Sequence, residues 1–159
     1  MFAPRRLLRL LAAALVLPLV AACIESPEEV QLAEVSCAFA FGLDTTQMTK
    51  TSSGLFYRDL SVGSGEVVNQ GDETYVYYSL WSITGQLYEA ALPTNSDPFG
   101  FFAGAGQTIR GFDEGVQGMR VGGCRRLAIP PSLGYGNAPS GAIPANSWLV
   151  FEVGVAGAF

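Results

Sequence analysis

QTIRGFDEGVQGMRVGGCRRLAIPPSLGYGNAPSGAIPANSWLVFEVGV, from Gln107 to Val155, is the stretch that sets the architecture. Its first part, Ile109 to Met119, reads as a short helix. Asp113 and Glu114 lie in its early turns, where carboxylates favour the positive end of a helix dipole. Gly122 and Gly123 end it. An apolar strand, Arg125 to Ile129, must stop at Pro130-Pro131, because proline donates no ladder hydrogen bond. A loop rich in Pro, Gly and Tyr then leads to a last strand, Ser147 to Val155. There Leu149, Phe151, Val153 and Val155 alternate with Trp148, Val150, Glu152 and Gly154, the pattern of a strand buried on one face. Aromatic and aliphatic side chains recur at the turns and edges of the stretch, so a sheet and a helix are expected to close on an apolar pocket.

Working upstream, Leu55 to Leu60 is short, apolar and aromatic, and Gly63-Ser64-Gly65 ends it as a turn ends a strand. Thr74 to Ile83 is rich in aromatic and branched residues, a strong strand signal. Thr84-Gly85 turns it into Gln86–Ala90 as a hairpin. Leu92 to Pro98 reads as a loop and Phe99 to Ala103 as a short strand. The sum is an α+β domain over residues 53–159, an antiparallel sheet of five or six strands with one short helix. No internal repeat is present.

Residues 1–22 have the form of a bacterial lipoprotein signal. Arg5, Arg6 and Arg9 are a basic start, and Leu10 to Val20 is an apolar run too short to span a bilayer comfortably. Leu19-Val20-Ala21-Ala22-Cys23 resembles a lipobox, in which small residues precede a cysteine that takes the lipid and becomes the mature N-terminus. A plain secretory signal cut near Ala22 and an uncleaved anchor are the competing readings. Ile24, in place of an aspartate, favours the outer membrane facing the periplasm if the cell is Gram-negative. Residues 23–52 read as a tether whose weakly apolar part, Val35 to Leu43, docks on the domain, a helix being one form open to it.

Three of the nine basic residues fall in the signal, which leaves six against fourteen acids. So acidic a chain, with no histidine, lacks the electrostatic footprint of a nucleic-acid binder. It also lacks the commonest general base and metal ligand. With Cys23 assigned to lipid, Cys37 and Cys124 remain. In an exported protein such a pair is expected to be bridged, two buried thiols being the alternative. Two cysteines without histidine partners make no zinc site.

Residues 53–155 resemble the FKBP-type peptidyl-prolyl cis–trans isomerases. The resemblance is carried by IRGFDEGVQGMRVGG (Ile109 to Gly123), by Pro-x-x-x-Gly-Tyr-Gly (Pro130 to Gly136), by Ile143-Pro144 and LVFEV (Leu149 to Val153), and by TGQLYEAAL (Thr84 to Leu92). It implies a half-barrel sheet wrapped around one short helix, with the active site between them. The residues it assigns to catalysis are Tyr78 and Phe151 on strands, Phe99 as a wall, Phe112 as the floor, Tyr135 in the long loop, and Glu89. Tyr88, Thr108, Ile109 and Ile143 would complete the peptide site, with the Ile109 N–H and the Tyr135 hydroxyl holding substrate carbonyls. No cofactor and no metal is implied. The partners would be proline-containing exported polypeptides and, through Cys23, a lipid membrane, with the chain a monomer.

The sequence departs from the family pattern at three places. Tyr88-Glu89 stands where Phe-Asp is common, Phe112 where the floor is often Trp, and Ser140 where a larger residue is usual. The longer Glu89 side chain moves the carboxylate and is the feature that points to a second reading, a peptide-binding chaperone with little catalysis. A third reading is a surface lipoprotein whose acidic, glycine-rich faces matter more than the pocket.

Overall fold

The computed structural model describes residues 30–159. The predicted signal, 1–22, and the lipobox cysteine Cys23 lie outside the described residues. In chain order the elements are β1 (Thr49–Lys50), β2 (Phe56–Ser61), β3 (Glu73–Ser82), β4 (Leu87–Ala91), β5 (Phe99–Phe102), α1 (Arg110–Val116), β6 (Cys124–Ile129) and β7 (Leu149–Ala158). The seven strands form one antiparallel sheet, ordered β1-β2-β6-β7-β3-β4, with β5 paired to the first half of β3. The expected count was five or six. The addition is β1, whose two residues are too few to carry a pattern.

The hairpin of β3 and β4 forms where Thr84-Gly85 places it. Gly85 has φ +90°, and the Ser82 hydroxyl accepts the Thr84 and Gln86 amides at 3.2 and 3.0 Å. Leu80 pairs with Glu89 and Trp81 with Leu87, so Tyr88 is the extra residue of a bulge. After β6 the prolines act as expected. The chain makes a 3-10 turn, Pro131–Leu133, and the Gly134 amide donates back to the Pro130 and Pro131 carbonyls.

The helix is shorter than the sequence pattern suggests, ending at Val116 instead of Met119. Gln117 is extended and Gly118 has φ +76°. Arg125 on β6 explains the stop: its guanidinium donates to the carbonyls of Gly115 and Gln117 at 3.0 and 3.3 Å, satisfying acceptors that another helical turn would have used. Asp59 fixes Arg125 from β2 at 2.6 Å.

Two expectations about the sheet's other face need correction. β7 is buried on both faces, with only Ala158 partly open. The cover is the segment before the domain, which continues the same compact unit back to Gln31. Its Val35–Leu43 part is extended and not helical. Ala33, Val35, Cys37 and Phe39 are half-buried while Glu34, Ser36 and Ala38 are exposed, a period of two. Val35 and Cys37 lie over Gly154, where a Cβ would collide with both, and Cys37 is disulfide-bonded to Cys124. The covered Glu152 is fully buried. One of its oxygens accepts the Phe39 amide at 2.7 Å, and the other accepts from Arg126 at 2.5 Å. Arg126 also donates to the Ala40 carbonyl at 2.8 Å.

The disulfide joins residues 87 apart, a closure worth roughly 4–5 kcal/mol on loop entropy alone. The Cys37→Ala/Cys124→Ala variant should therefore lose about 2–5 kcal/mol in denaturant unfolding. A loss below about 1 kcal/mol would show that the extension is held by packing without the bridge.

Candidate functional site

On its inner face the sheet presents Tyr78 and Leu80 from β3 and Phe151 from β7, and α1 presents Phe112 opposite them. The helix sits close enough to do this because Gly111 and Gly115 face the sheet. A Cβ at Gly111 would lie 2.4 Å from Ile129 Cγ2, and one at Gly115 2.6 Å from Leu127 Cδ1. Phe112 and Phe151 meet edge to face, with ring centroids 5.1 Å apart. Tyr78 touches the rings of Phe99, Phe112 and Phe151 at centroid distances of 6.1, 6.1 and 6.0 Å. Behind them Phe101 stacks on Phe99 at 5.6 Å and packs on Phe112 at 5.7 Å. Such aromatic pairs contribute about 0.5–1.5 kcal/mol each beyond their buried area.

Between these rings lies a cavity of about 200 Å³. Drug-sized sites run to roughly 300–1,000 Å³, so this one has room for no more than about one side chain. Its lining brings together Tyr78, Glu89, Phe99, Thr108, Ile109, Phe112, Tyr135 and Phe151 from the sequence-based set. Two residues of that set stand apart from the lining. Ile143 is drawn into the hydrophobic core, where the reciprocal bonds of Ser140 and Ile143, 3.0 and 2.9 Å, fold its loop inward. Tyr88, the bulge residue, packs half-buried against the core.

The cavity also has two walls that sequence reasoning missed. Leu80 lies two residues beyond Tyr78 on one strand face, so its alternation with Tyr78 was the available signal. Gln107 gave no such signal, because its position follows from a loop.

The polar groups are few and largely committed. The Tyr78 hydroxyl donates to Glu89 Oε1 at 2.7 Å, so the longer carboxylate reaches into the site. Gln107 turns its Oε1 back to accept the Phe102 amide at 2.8 Å. The Ile109 N–H, at the mouth of α1, meets no acceptor among the described residues. Desolvation, then the Glu89 hydrogen bond and its charge, push the Tyr78 phenol well above its ordinary value of 10.0, with a smaller contribution from Tyr135. Tyr78 is therefore a neutral donor throughout the physiological range. Among the described residues no three His, Cys, Asp or Glu side chains gather to hold a metal.

An open antiparallel sheet closed on one short helix, with an aromatic cleft between them, defines a small α+β domain. The chain belongs to the family described as FKBP-type peptidyl-prolyl cis-trans isomerase, whose model matches residues 64–156. An FK506-binding protein of Neisseria meningitidis serogroup B is 40% identical over 101 residues, covering 63% of this chain and 92% of the relative. FK506-binding protein 4 of Mycosarcoma maydis is 44% identical over 111 residues, 69% of this chain. This chain spans less than a third of the length of that relative and of the next three, 29, 21, 24 and 23%. Among solved structures, FkpA from Escherichia coli superposes with a TM-score of 0.64 at 33% identity, covering 70% of this chain and 51% of that one. AtFKBP13 gives 0.62 at 30% identity, covering 69% and 97%.

Because the folded state holds the Tyr78 phenol neutral, its contribution to stability is complete below pH 10.0 and is lost as pH rises past that value. In the tyrosinate absorbance titration, subtracting Tyr78→Phe from the parent should show no step near pH 10.0. Glu89→Gln should move the delayed step downward while leaving the part due to burial. A Tyr78 step at the ordinary position would contradict the hydrogen bond and the burial together.

Proposed function

We propose that this chain speeds the cis–trans isomerisation of X–Pro bonds in exported polypeptides. The observation that carries the proposal is the ring cage of Tyr78, Phe99, Phe112 and Phe151, open beside an Ile109 N–H that meets no acceptor among the described residues. Rotation about a peptide bond meets a barrier of roughly 18–20 kcal/mol because it breaks amide resonance. The planar amide is the more polar form and the twisted one the less polar. An apolar aromatic cage therefore binds the twisted form better, which is differential binding of the transition state.

In this reading the proline ring enters the cage against Phe112 and Phe151. The Ile109 N–H and the Tyr135 hydroxyl hold carbonyls on either side of the bond, so that the chain ends turn against a fixed frame. Tyr78 stays neutral through its bond to Glu89, and no proton transfer is required. A folding step that takes tens to hundreds of seconds unaided would be shortened. The lipobox supports the setting: the chain would be lipidated at Cys23 and held as a monomer in a bacterial cell envelope, on the periplasmic face of the outer membrane if Gram-negative.

Exchange NMR on a short proline peptide, which needs no coupled protease, tests the activity. The protein should raise the interconversion rate at substoichiometric concentration, and no acceleration would refute catalysis in favour of peptide binding alone. Tyr135→Phe removes one hydrogen bond and should lower kcat/KM by roughly three- to tenfold. Phe112→Leu keeps an apolar floor without the ring and should cost about tenfold or more, with the fold retained by circular dichroism. Mass spectrometry of the membrane-extracted N-terminus should find diacylglycerol on Cys23. An unmodified Cys23 would remove the anchor.

A further inference from the structure

We propose that Asp113 is a positioning residue for peptide binding, holding the loop from Ala103 to Thr108 in the shape that presents Thr108 and the Ile109 N–H to the cage. The inference rests on the peptide site proposed above. Asp113 lies in α1, is only 7% exposed, and does not line the cavity. Its Oδ1 accepts the Gly104 amide at 2.6 Å and its Oδ2 the Gly106 amide at 3.0 Å. Both glycines have positive φ, +75° and +71°, so their amides turn toward the one carboxylate in a conformation other residues rarely adopt.

A residue in the first turn of a helix commonly caps that helix. Asp113 does not, because both oxygens are spent on the loop and no amide of its own turn takes either. The rest of the loop is tied in the same sense. Ala103 exchanges bonds with the turn before β3, donating to the Asp72 carbonyl at 3.0 Å and accepting from the Gly71 amide at 2.7 Å. The Gln107 side chain closes the far end on the Phe102 amide. The loop is thus fixed at its start, in its middle and at Gln107, and the two residues that follow Gln107 are Thr108 and Ile109 of the cavity wall.

A frame built in advance leaves less to be ordered when peptide arrives. If only a fraction f of molecules holds the competent loop, the apparent dissociation constant is the intrinsic one divided by f, and the rate in the bound state is unaffected. Loosening the clamp should therefore weaken binding without slowing the bond's rotation once bound. A purely structural role would leave the affinity of the folded fraction unchanged.

The test uses the 15N-labelled full chain and a short Leu-Pro peptide. Binding is read from shifts of the Thr108 and Ile109 amides, and turnover from exchange of the bound peptide. Asp113→Asn should raise Kd about tenfold with the bound-state interconversion rate within about twofold of the parent. Gly104 and Gly106 amides should exchange with solvent at least about tenfold faster, while Val153 on β7 keeps its protection. A Kd within about twofold of the parent, with Gly104 and Gly106 deprotected, overturns the proposal. Should Asp113→Asn fail to fold, Gln107→Leu takes its place. It should raise Kd about threefold and deprotect Phe102, and Gln107→Glu, which keeps an acceptor oxygen, should restore that protection. An unchanged Kd in Gln107→Leu counts against the proposal. A parent protein that binds the peptide without speeding its interconversion refutes the catalytic reading and leaves the Kd comparison to decide on Asp113. One that does not bind at all refutes both.

Discussion

Two glycines four residues apart on α1 set the distance on which the rest of the molecule depends. With Gly111 and Gly115 against Ile129 and Leu127, the helix backbone lies almost on the sheet. Phe112, between them in sequence, is then held at the depth where its ring meets Phe151, Phe101 and Tyr78. A side chain at either glycine would lift the helix or displace the β6 side chains, and a core packed near crystal density does not absorb such a shift freely. The pocket floor and the hydrophobic core are therefore one object. Phe112 and Phe151 belong to both, and their burial stabilises the fold while it shapes the cleft.

The opposite face of the sheet follows a different logic. β7 there carries Glu152, a carboxylate with no exposure at all, next to Gly154. A buried charge is tolerated only when its partners are supplied, and removing one partner is costlier than replacing the whole pair by apolar groups. Here Phe39 and Arg126 supply them, and Phe39 belongs to a segment that the Cys37–Cys124 bridge fastens to β6. The disulfide thus does more than restrict the unfolded chain: it keeps an amide donor over a fully buried carboxylate. The bridge lies on the face away from the helix, so the inner face is left open to the cleft.

What could be read from the sequence divides along the same line. The helix, the turn at Thr84-Gly85, the stop at Pro130-Pro131 and the rings of the cage are written in contiguous residues with local physical meaning, and most of the candidate site came with them. The second buried face of β7 was not legible. Trp148, Val150, Glu152 and Gly154 look like a mixed, half-solvated row until the segment that covers them is known, and that contact spans more than a hundred residues. The helix end was missed for a similar reason, since Arg125, nine residues beyond Val116, supplies the donors that allow the stop. The resemblance also assigns Ile143 and Tyr88 to the site; in the structure they pack in and against the core and do not line the cavity. Leu80 was readable from alternation, whereas Gln107 owes its position to a loop whose shape is decided by Asp113.

The ionisable groups of the cleft illustrate how little charge such a site requires. Tyr78, Tyr135 and Glu89 line it, yet the Glu89 carboxylate is spent on the Tyr78 hydroxyl. A free carboxylate beside a planar amide would stabilise the polar ground state as readily as anything formed from it, and uniform stabilisation gains no rate. Tying Glu89 to a neutral phenol fixes the place of its charge at the rim, against the Tyr78 hydroxyl. The same hydrogen bond holds the hydroxyl end of Tyr78, whose ring packs on Phe99, Phe112 and Phe151. Glu89 makes this bond from β4 beside the bulge at Tyr88, the additional residue opposite Leu80 and Trp81. The longer side chain in place of aspartate therefore still finds a committed donor in the site, the Tyr78 hydroxyl at 2.7 Å.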